Sequence, residues 1–253
     1  MVRKIDRTGE ERVNNFGSKM IITRYNTVKD IDIYFPEYNW TYKHGNYNNF
    51  KNGKVQCPYE PRTFGVGYIG EGEYMTSVKS ILNKEYNHWY NMIKRCYSKE
   101  FQNDNSSYMG CKMEEYLLNF QNFSEWIKSI YYEVPNEVME IDKDILIKGN
   151  KLYSRKTCIF VPQNINKIFT KRQNNRGKNP IGINDNGNGF QARCNNGKGN
   201  IINLGTYSTQ EEAFQVYKSY KENLIKQIAD EYKSYIPREL YKAMYEYEVE
   251  IDD

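Results

Sequence analysis

Phe190-Gln191-Ala192-Arg193-Cys194 alternates apolar and polar side chains; eight residues on, Ile202-Asn203-Leu204-Gly205-Thr206-Tyr207-Ser208-Thr209-Gln210-Glu211-Glu212-Ala213 passes from strand to helix. The first half of each stretch has the period of two that a half-buried strand requires. The second stretch then starts a helix. Thr209 is followed three residues later by Glu212, the spacing of a capping box. Ala213, Tyr217, Tyr220 and Leu224 fall on one face beyond it. Two turn runs, Asn184–Gly189 and Asn195–Asn200, flank the Phe190 strand, and Ile181–Ile183 supplies a third. Residues 180–232 therefore read as three short strands and a helix.

Working outward, residues 138–170 give strand, loop, strand, helix. Val138–Asp142 and Thr157–Val161 are strand-like, Lys148–Lys151 is a turn, and Pro162 opens a helix over Gln163–Phe169, a position proline tolerates. Further upstream, Trp89, Met92, Ile93 and Cys96 recur at helical spacing over 85–98. Tyr116, Leu117, Phe120, Phe123, Trp126, Ile127 and Ile130 do so over 113–130. Both stripes predict core-forming helices. Residues 13–70 are β-rich. Ile31, Ile33 and Phe35 alternate with Asp32 and Tyr34, Met20–Ile22 begins another strand, and glycines and prolines punctuate turns as far as Tyr74. This predicts a small meander or barrel.

Composition narrows the class. The chain has 253 residues with a net charge of +4 and a mean hydropathy of −0.87. It contains 24 Tyr, 11 Phe and 3 Trp, whereas disordered chains are poor in aromatics. Tyrosine supplies core volume while scoring as polar. The roughly 30 asparagines accompany many Lys, Ile and Tyr, as an AT-rich coding sequence produces, and carry no mechanism. No window approaches the ~18 apolar residues of a membrane span, and Met1–Arg7 lacks a secretory apolar region. The expectation is a soluble, cytoplasmic protein with no membrane partner. Cys57, Cys96, Cys111, Cys158 and Cys194 form no C-x-x-C pair, so no structural zinc is expected.

Charge is unevenly placed. Residues 1–135 carry +2, residues 136–236 carry +6, and residues 237–253 carry −4. The densest basic run, Lys167, Lys171, Arg172, Arg176 and Lys178, has no acid within it. It reads either as a phosphate-contacting linker or as a solvated one.

The strand-and-helix run over 190–217 resembles the APETALA/ethylene-response-factor DNA-binding domain, through Leu204-Gly205-Thr206-Tyr207, Thr209 and Glu211-Glu212-Ala213. The resemblance covers about 50 residues. It implies a three-stranded antiparallel sheet packed on a helix, with the sheet laid in the major groove of double-stranded DNA. The residues agree. With Phe190, Ala192 and Cys194 toward the helix, Gln191, Arg193 and Asn195 face outward, as does Asn203 once Ile202 and Leu204 face in. Arg, Asn and Gln are the usual readers of base edges. Asn203 stands where plant members of that family carry a tryptophan.

Residues 138–166 resemble HNH-type (ββα-metal) nucleases of phage and mobile elements. In that family an Asp-His pair ends the first strand, and an Asn or His on the following helix helps hold one divalent ion against the scissile phosphate. Here Asp142-Lys143-Asp144 occupies the first position and Asn166 the second, with Asn164 as the alternative register. The resemblance implies Asp142 and Asn166 as ligands of Mg²⁺ (or Mn²⁺), and Asp142, Lys143, Asp144 and Asn166 as the catalytic set. Lys143 stands in place of the general-base histidine. An ordinary lysine is protonated at pH 7 and accepts no proton. Another base therefore serves, or Lys143 clamps phosphate, or the site is inactive. Of the two histidines, His44 and His88, His88 is the alternative base; a lone histidine on an aromatic helix is more often structural.

The resemblance extends upstream through Trp89, Met92, Arg95-Cys96-Tyr97, Phe120, Phe123 and Trp126, and onward through Gly149-Asn150-Lys151 and Tyr153-Ser154. These match a phage-borne group described as HNH endonucleases with an APETALA-type tail. Gly67-Tyr68-Ile69-Gly70 matches half of a GIY-YIG element, but the paired half is missing.

The expected fold is thus α+β and multidomain. A β-rich module spans 1–75, a helical plus ββα HNH-like core 76–172, a three-stranded sheet on a helix 178–236, and a helical acidic tail 237–253. The expected function is a sequence-directed DNA endonuclease of nicking or homing type, hydrolysing phosphodiester bonds with one divalent ion. The alternative is a catalytically inactive DNA-binding protein on the same scaffold, such as a phage regulator or counter-defence factor. A protein that binds other partners and not DNA is a third, lesser reading.

Overall fold

Met20 and Ile22 on one strand and Ile31, Ile33 and Phe35 on the next are fully buried, because alternate residues of a strand share a face. They organise the first of two units into which the chain divides, Met1–Ser129 and Ile130–Asp253. The computed structural model describes residues 5–170 and 179–251; the expected phosphate-contacting residues Lys171, Arg172, Arg176 and Lys178 lie outside them. The class is α+β, as expected. Among the described residues no helix is long and apolar enough to cross a membrane.

In the first unit β1 (Glu11–Val13), β2 (Lys19–Thr27), β3 (Asp30–Phe35) and β4 (Trp40–Gly45) form an open antiparallel meander in that order. A short helix, α1 (Tyr47–Lys51), follows and closes the core with Tyr47, Phe50, Val55 and Cys57. The hairpin β5 (Ser77–Val78) and β6 (Ile81–Leu82) precedes α2 (Lys84–Tyr97), which buries Trp89, Met92, Ile93 and Cys96 as its spacing predicts. Next come α3 (Lys99–Asp104) and β7 (Lys112–Met113).

The single helix expected over 113–130 is two helices, α4 (Glu115–Leu118) and α5 (Phe120–Ile130), broken at Asn119. The break has a local cause. Tyr68 bridges Asn119 in parallel, donating its N–H to the Leu118 carbonyl and accepting from Phe120 N–H. The Asn119 side chain accepts from Gln121 N–H at 2.9 Å. Asn119 thus leaves the helix to pair with residue 68, and its carboxamide caps the next one. Gly67-Tyr68-Ile69-Gly70 serves this bridge. Its glycines let Trp89, Ile93 and Asn119 approach more closely than a Cβ allows.

In the second unit β8 (Met139–Asp142) pairs antiparallel with β10 (Ile159–Pro162), and α6 (Gln163–Ile168) follows directly. The two-residue strand β9 (Leu152–Tyr153) lies in the loop between them. β11 (Ile183–Asp185), β12 (Phe190–Asn195) and β13 (Ile201–Tyr207) form a three-stranded antiparallel sheet. β11 starts two residues later than the apolar pattern predicts. Gly182 has φ +76°, and a Cβ there would fall 2.2 Å from the Tyr217 ring, so the chain turns at 182 and cannot be extended.

The helix α7 (Gln210–Tyr232) begins at the expected cap. Thr209 Oγ1 accepts from Glu212 N–H, and Glu212 Oε2 accepts from Ser208 N–H, each at 3.2 Å. The carboxylate thus reaches one residue past the cap. α7 serves two cores. Ala213, Phe214 and Tyr217 pack on the sheet with Ile183, Ala192 and Cys194. Leu224, Ile225, Ile228 and Ala229 pack on the ββα element with Ile159, Val161 and Ile165. The acidic tail forms α8 (Arg238–Tyr245), which returns Leu240 and Met244 to that second core, while Val249 joins the sheet core. The ββα element, the sheet and the tail therefore share one helix within a single compact unit.

Candidate functional site

The ββα element positions its carboxylates through strand register. Asp142 lies opposite Ile159 and Glu140 opposite Val161. Directly paired residues of antiparallel strands share a face, and Ile159 and Val161 face the core that includes Ile165 of α6. Glu140 and Asp142 therefore stand on the face of the hairpin that α6 covers.

From the helix, Asn166 Nδ2 donates to Glu140 Oε2 at 2.7 Å and Gln163 Nε2 donates to Glu140 Oε1 at 2.9 Å. Asn164 instead donates to Glu137 at 2.8 Å. Of the two registers, Asn166 is the one directed at the acidic face. Its immediate partner is Glu140, two residues from Asp142 along the strand. Glu140 was missed from sequence, although the period of two that places Asp142 at the strand end puts residue 140 beside it.

Asp142 also closes the strand. Its Oδ1 accepts the backbone N–H of Asp144 at 2.8 Å and of Ile145 at 2.7 Å, an Asx turn. Burial, and then the neighbouring Asp144 carboxylate, push the Asp142 carboxyl up to about 6. These two effects disfavour the charged form and outweigh the two N–H donors.

Lys143 stands between the two aspartates in sequence. It is buried, its Nζ lies 3.2 Å from Asp144 Oδ2, and it sits 5.8 Å from the centre of the Tyr153 ring. The side chain is thus engaged by a neighbouring carboxylate. Asn150, inside the loop, donates to the carbonyls of Lys143 and Leu152, each at 2.7 Å, and so fixes the corner that carries residues 142–144. Behind it Cys158 is buried, and burial pushes its thiol up to about 12; it is a packing residue.

The sheet presents a second surface. Arg193, Asn195 and Asn203 are exposed and Gln191 is half-exposed, while Ala192 and Cys194 are buried. Asn184 pairs with Gln191 and Gln191 with Thr206, and Arg193 pairs with Asn203. Gln191, Arg193 and Asn203 thus fall in two cross-strand rows, and Asn195 lies opposite the exposed Ile201. A bulge falls between Ala192 and Arg193, opposite Gly205 at φ +123°; it increases local twist. Asn195 and Asn203 also accept from Gly197 and Gly205 N–H, which fixes their amide orientation.

Two other groups lie in the first unit. His88 lies on α2 in the first unit, where burial and then Arg95 push its pKa below the ordinary value. Asp30, Asp32 and His44 converge closely enough to hold an ion. Their carboxylates are already occupied by Arg24, which donates to Asp32 at 2.7 and 2.9 Å and to Asp30 at 2.9 and 3.2 Å. These bonds lower both Asp pKa values and raise that of Arg24. The guanidinium is the cation of that cluster. No family model, no curated protein and no solved structure matches the chain.

Proposed function

We propose that the chain is a metal-dependent DNA endonuclease of the ββα type, anchored on DNA by the polar face of β11–β13. The observation that carries this reading is the bond from Asn166 of α6 to Glu140, two residues along β8 from Asp142. The donors suit a hard divalent ion, because Mg²⁺ is bound by one or two carboxylates together with waters and phosphate oxygens. Asp142 and Asp144 would hold it, with Asn166 poised by Glu140 alongside. When bound, the ion supplies stabilisation of charge developing on the phosphodiester. Lys143 is committed to Asp144. The Asn150 clamp keeps the 142–144 corner rigid. Gln191, Arg193, Asn195 and Asn203 form a face that suits the major groove, where Arg reads guanine and Asn or Gln reads adenine.

A second reading, a non-catalytic DNA-binding protein on this scaffold, is favoured by one observation: the residue in the base position is a buried, ion-paired lysine. Nicking of supercoiled plasmid with Mg²⁺ or Mn²⁺ separates the two. The expected outcome is cleavage that falls about 100-fold or more in Asp142→Ala and strongly in Asn166→Ala. No cleavage with either metal, while salt-sensitive DNA binding persists, selects the second reading. Arg193→Ala should weaken binding under both, by roughly tenfold for one lost base contact.

A further inference from the structure

Lys221 is a half-buried lysine within the apolar stripe of α7. Phe214, Tyr217, Leu224, Ile225 and Ile228 recur at helical spacing and are buried. Lys221 falls on the same stripe, four residues after Tyr217 and three before Leu224, at the point where the sheet core ends and the ββα core begins. Lysine is rarely buried unless paired. Among the described residues Lys221 has neither an ion-pair nor a hydrogen-bond partner, and burial pushes its pKa below that of an ordinary lysine. An apolar side chain would continue the stripe without partly desolvating a charge.

Lys221 lines a cleft of about 670 Å³. One wall is α6, through Asn164 and Lys167; the other is the end of β12, through Arg193 and Asn195. Among its described lining residues there are three cations and no carboxylate. The cleft thus runs from the outward sheet residues Arg193 and Asn195 to the side of α6 that carries Asn164 and Lys167.

We propose that this cleft takes the phosphodiester backbone of a DNA strand, with Lys221 as its deepest phosphate contact, and leads that strand from the sheet toward the ββα element. The inference rests on the DNA-binding reading above and adds the path between its two surfaces. An unpaired ammonium in a partly dehydrated cleft is a strong partner for a phosphate oxygen, because the cation has already lost part of its water on folding.

The test is fluorescence-anisotropy titration of a random-sequence duplex over a salt series, using the full chain and the variants Lys221→Met, Lys221→Arg and Lys167→Met, with melting temperatures alongside. Each phosphate neutralised contributes about 0.9 to the slope of log affinity against log salt. Lys221→Met should weaken binding about tenfold and make the slope shallower by about one. Its melting temperature should hold or rise, since a partly desolvated charge is removed. Lys221→Arg should restore most of the affinity. Lys167→Met, at an exposed position, should show a smaller loss in the same direction, and it serves if Lys221→Met fails to fold. Unchanged affinity and slope in the folded variants overturn the cleft and leave the sheet reading standing. No duplex binding by the unaltered chain overturns both.

Discussion

Asp142 illustrates how one residue can serve a turn and a site at once. Its Oδ1 holds the Asx turn, yet burial and Asp144 lift its pKa to about 6. An unfolded aspartate titrates near 3.9, so the folded chain holds this proton more tightly than the unfolded one. The contribution to stability is therefore fully present below about pH 4, is lost as pH rises through 6, and is a penalty at pH 8. Asp142→Asn removes the titration and keeps an oxygen for the two N–H donors. It should stabilise the fold at pH 8 by about 1–3 kcal/mol and flatten the profile between pH 4 and 7, as read from urea midpoints. A lower midpoint at pH 8 would count against burial as the dominant cause. Millimolar Mg²⁺ should stabilise the unaltered chain at pH 8 and not Asp142→Asn. In the sequence the residue stands out only through the resemblance of Asp142-Lys143-Asp144 to the Asp-His position of ββα nucleases. The partner on the helix was less legible still. Asn164 and Asn166 differ by about 200° around a helix axis, and only packing against β8 decides which one meets the acidic face.

At the scale of elements, local signals sufficed wherever one element buries one face. The cap of α7 is an example: Thr209 accepts from Glu212 N–H, and the apolar face follows. Thr209→Ala should cost about 1 kcal/mol in urea denaturation, and Thr209→Ser only a few tenths. Equal losses in the two variants would mean that the methyl group, and not the hydroxyl, matters. Strands β2, β3, β12 and β13 and helix α2 fall where their periodicity places them, for the same reason. What local pattern missed is set by distant partners. The stripe over 113–130 is continuous in sequence, and the helix breaks because Tyr68, some fifty residues earlier, takes the backbone of Asn119. The start of β11 is displaced because Gly182 must turn beneath the Tyr217 ring. The lysine in the α7 stripe was equally visible as a letter. It acquires meaning only when residues 217 and 224 prove to belong to different cores.

At the scale of the second unit, that sharing of α7 decides cooperativity. Sequence patterning separates a ββα element, a sheet on a helix and an acidic tail. In the fold one 23-residue helix carries the apolar faces of both the sheet and the hairpin, and α8 returns Leu240 to the hairpin core. A helix is stabilised mostly by tertiary packing of its apolar face, so loosening either half of α7 weakens what both halves hold. Ile225 is fully buried in the hairpin core. Ile225→Ala removes three buried carbons and should cost about 2–5 kcal/mol. If α7 couples the cores, amide hydrogen exchange should accelerate by similar factors in β10 and in β12, although Ile225 belongs to only one of their cores. Faster exchange confined to β8, β10 and α6, with β12 and β13 protected as before, would make the sheet an independent module that merely shares a helix. The coupled outcome bears on the proposed function: a sheet face and a hairpin face packed on one helix would keep a fixed spacing, as the proposed path of a DNA strand along the cleft requires.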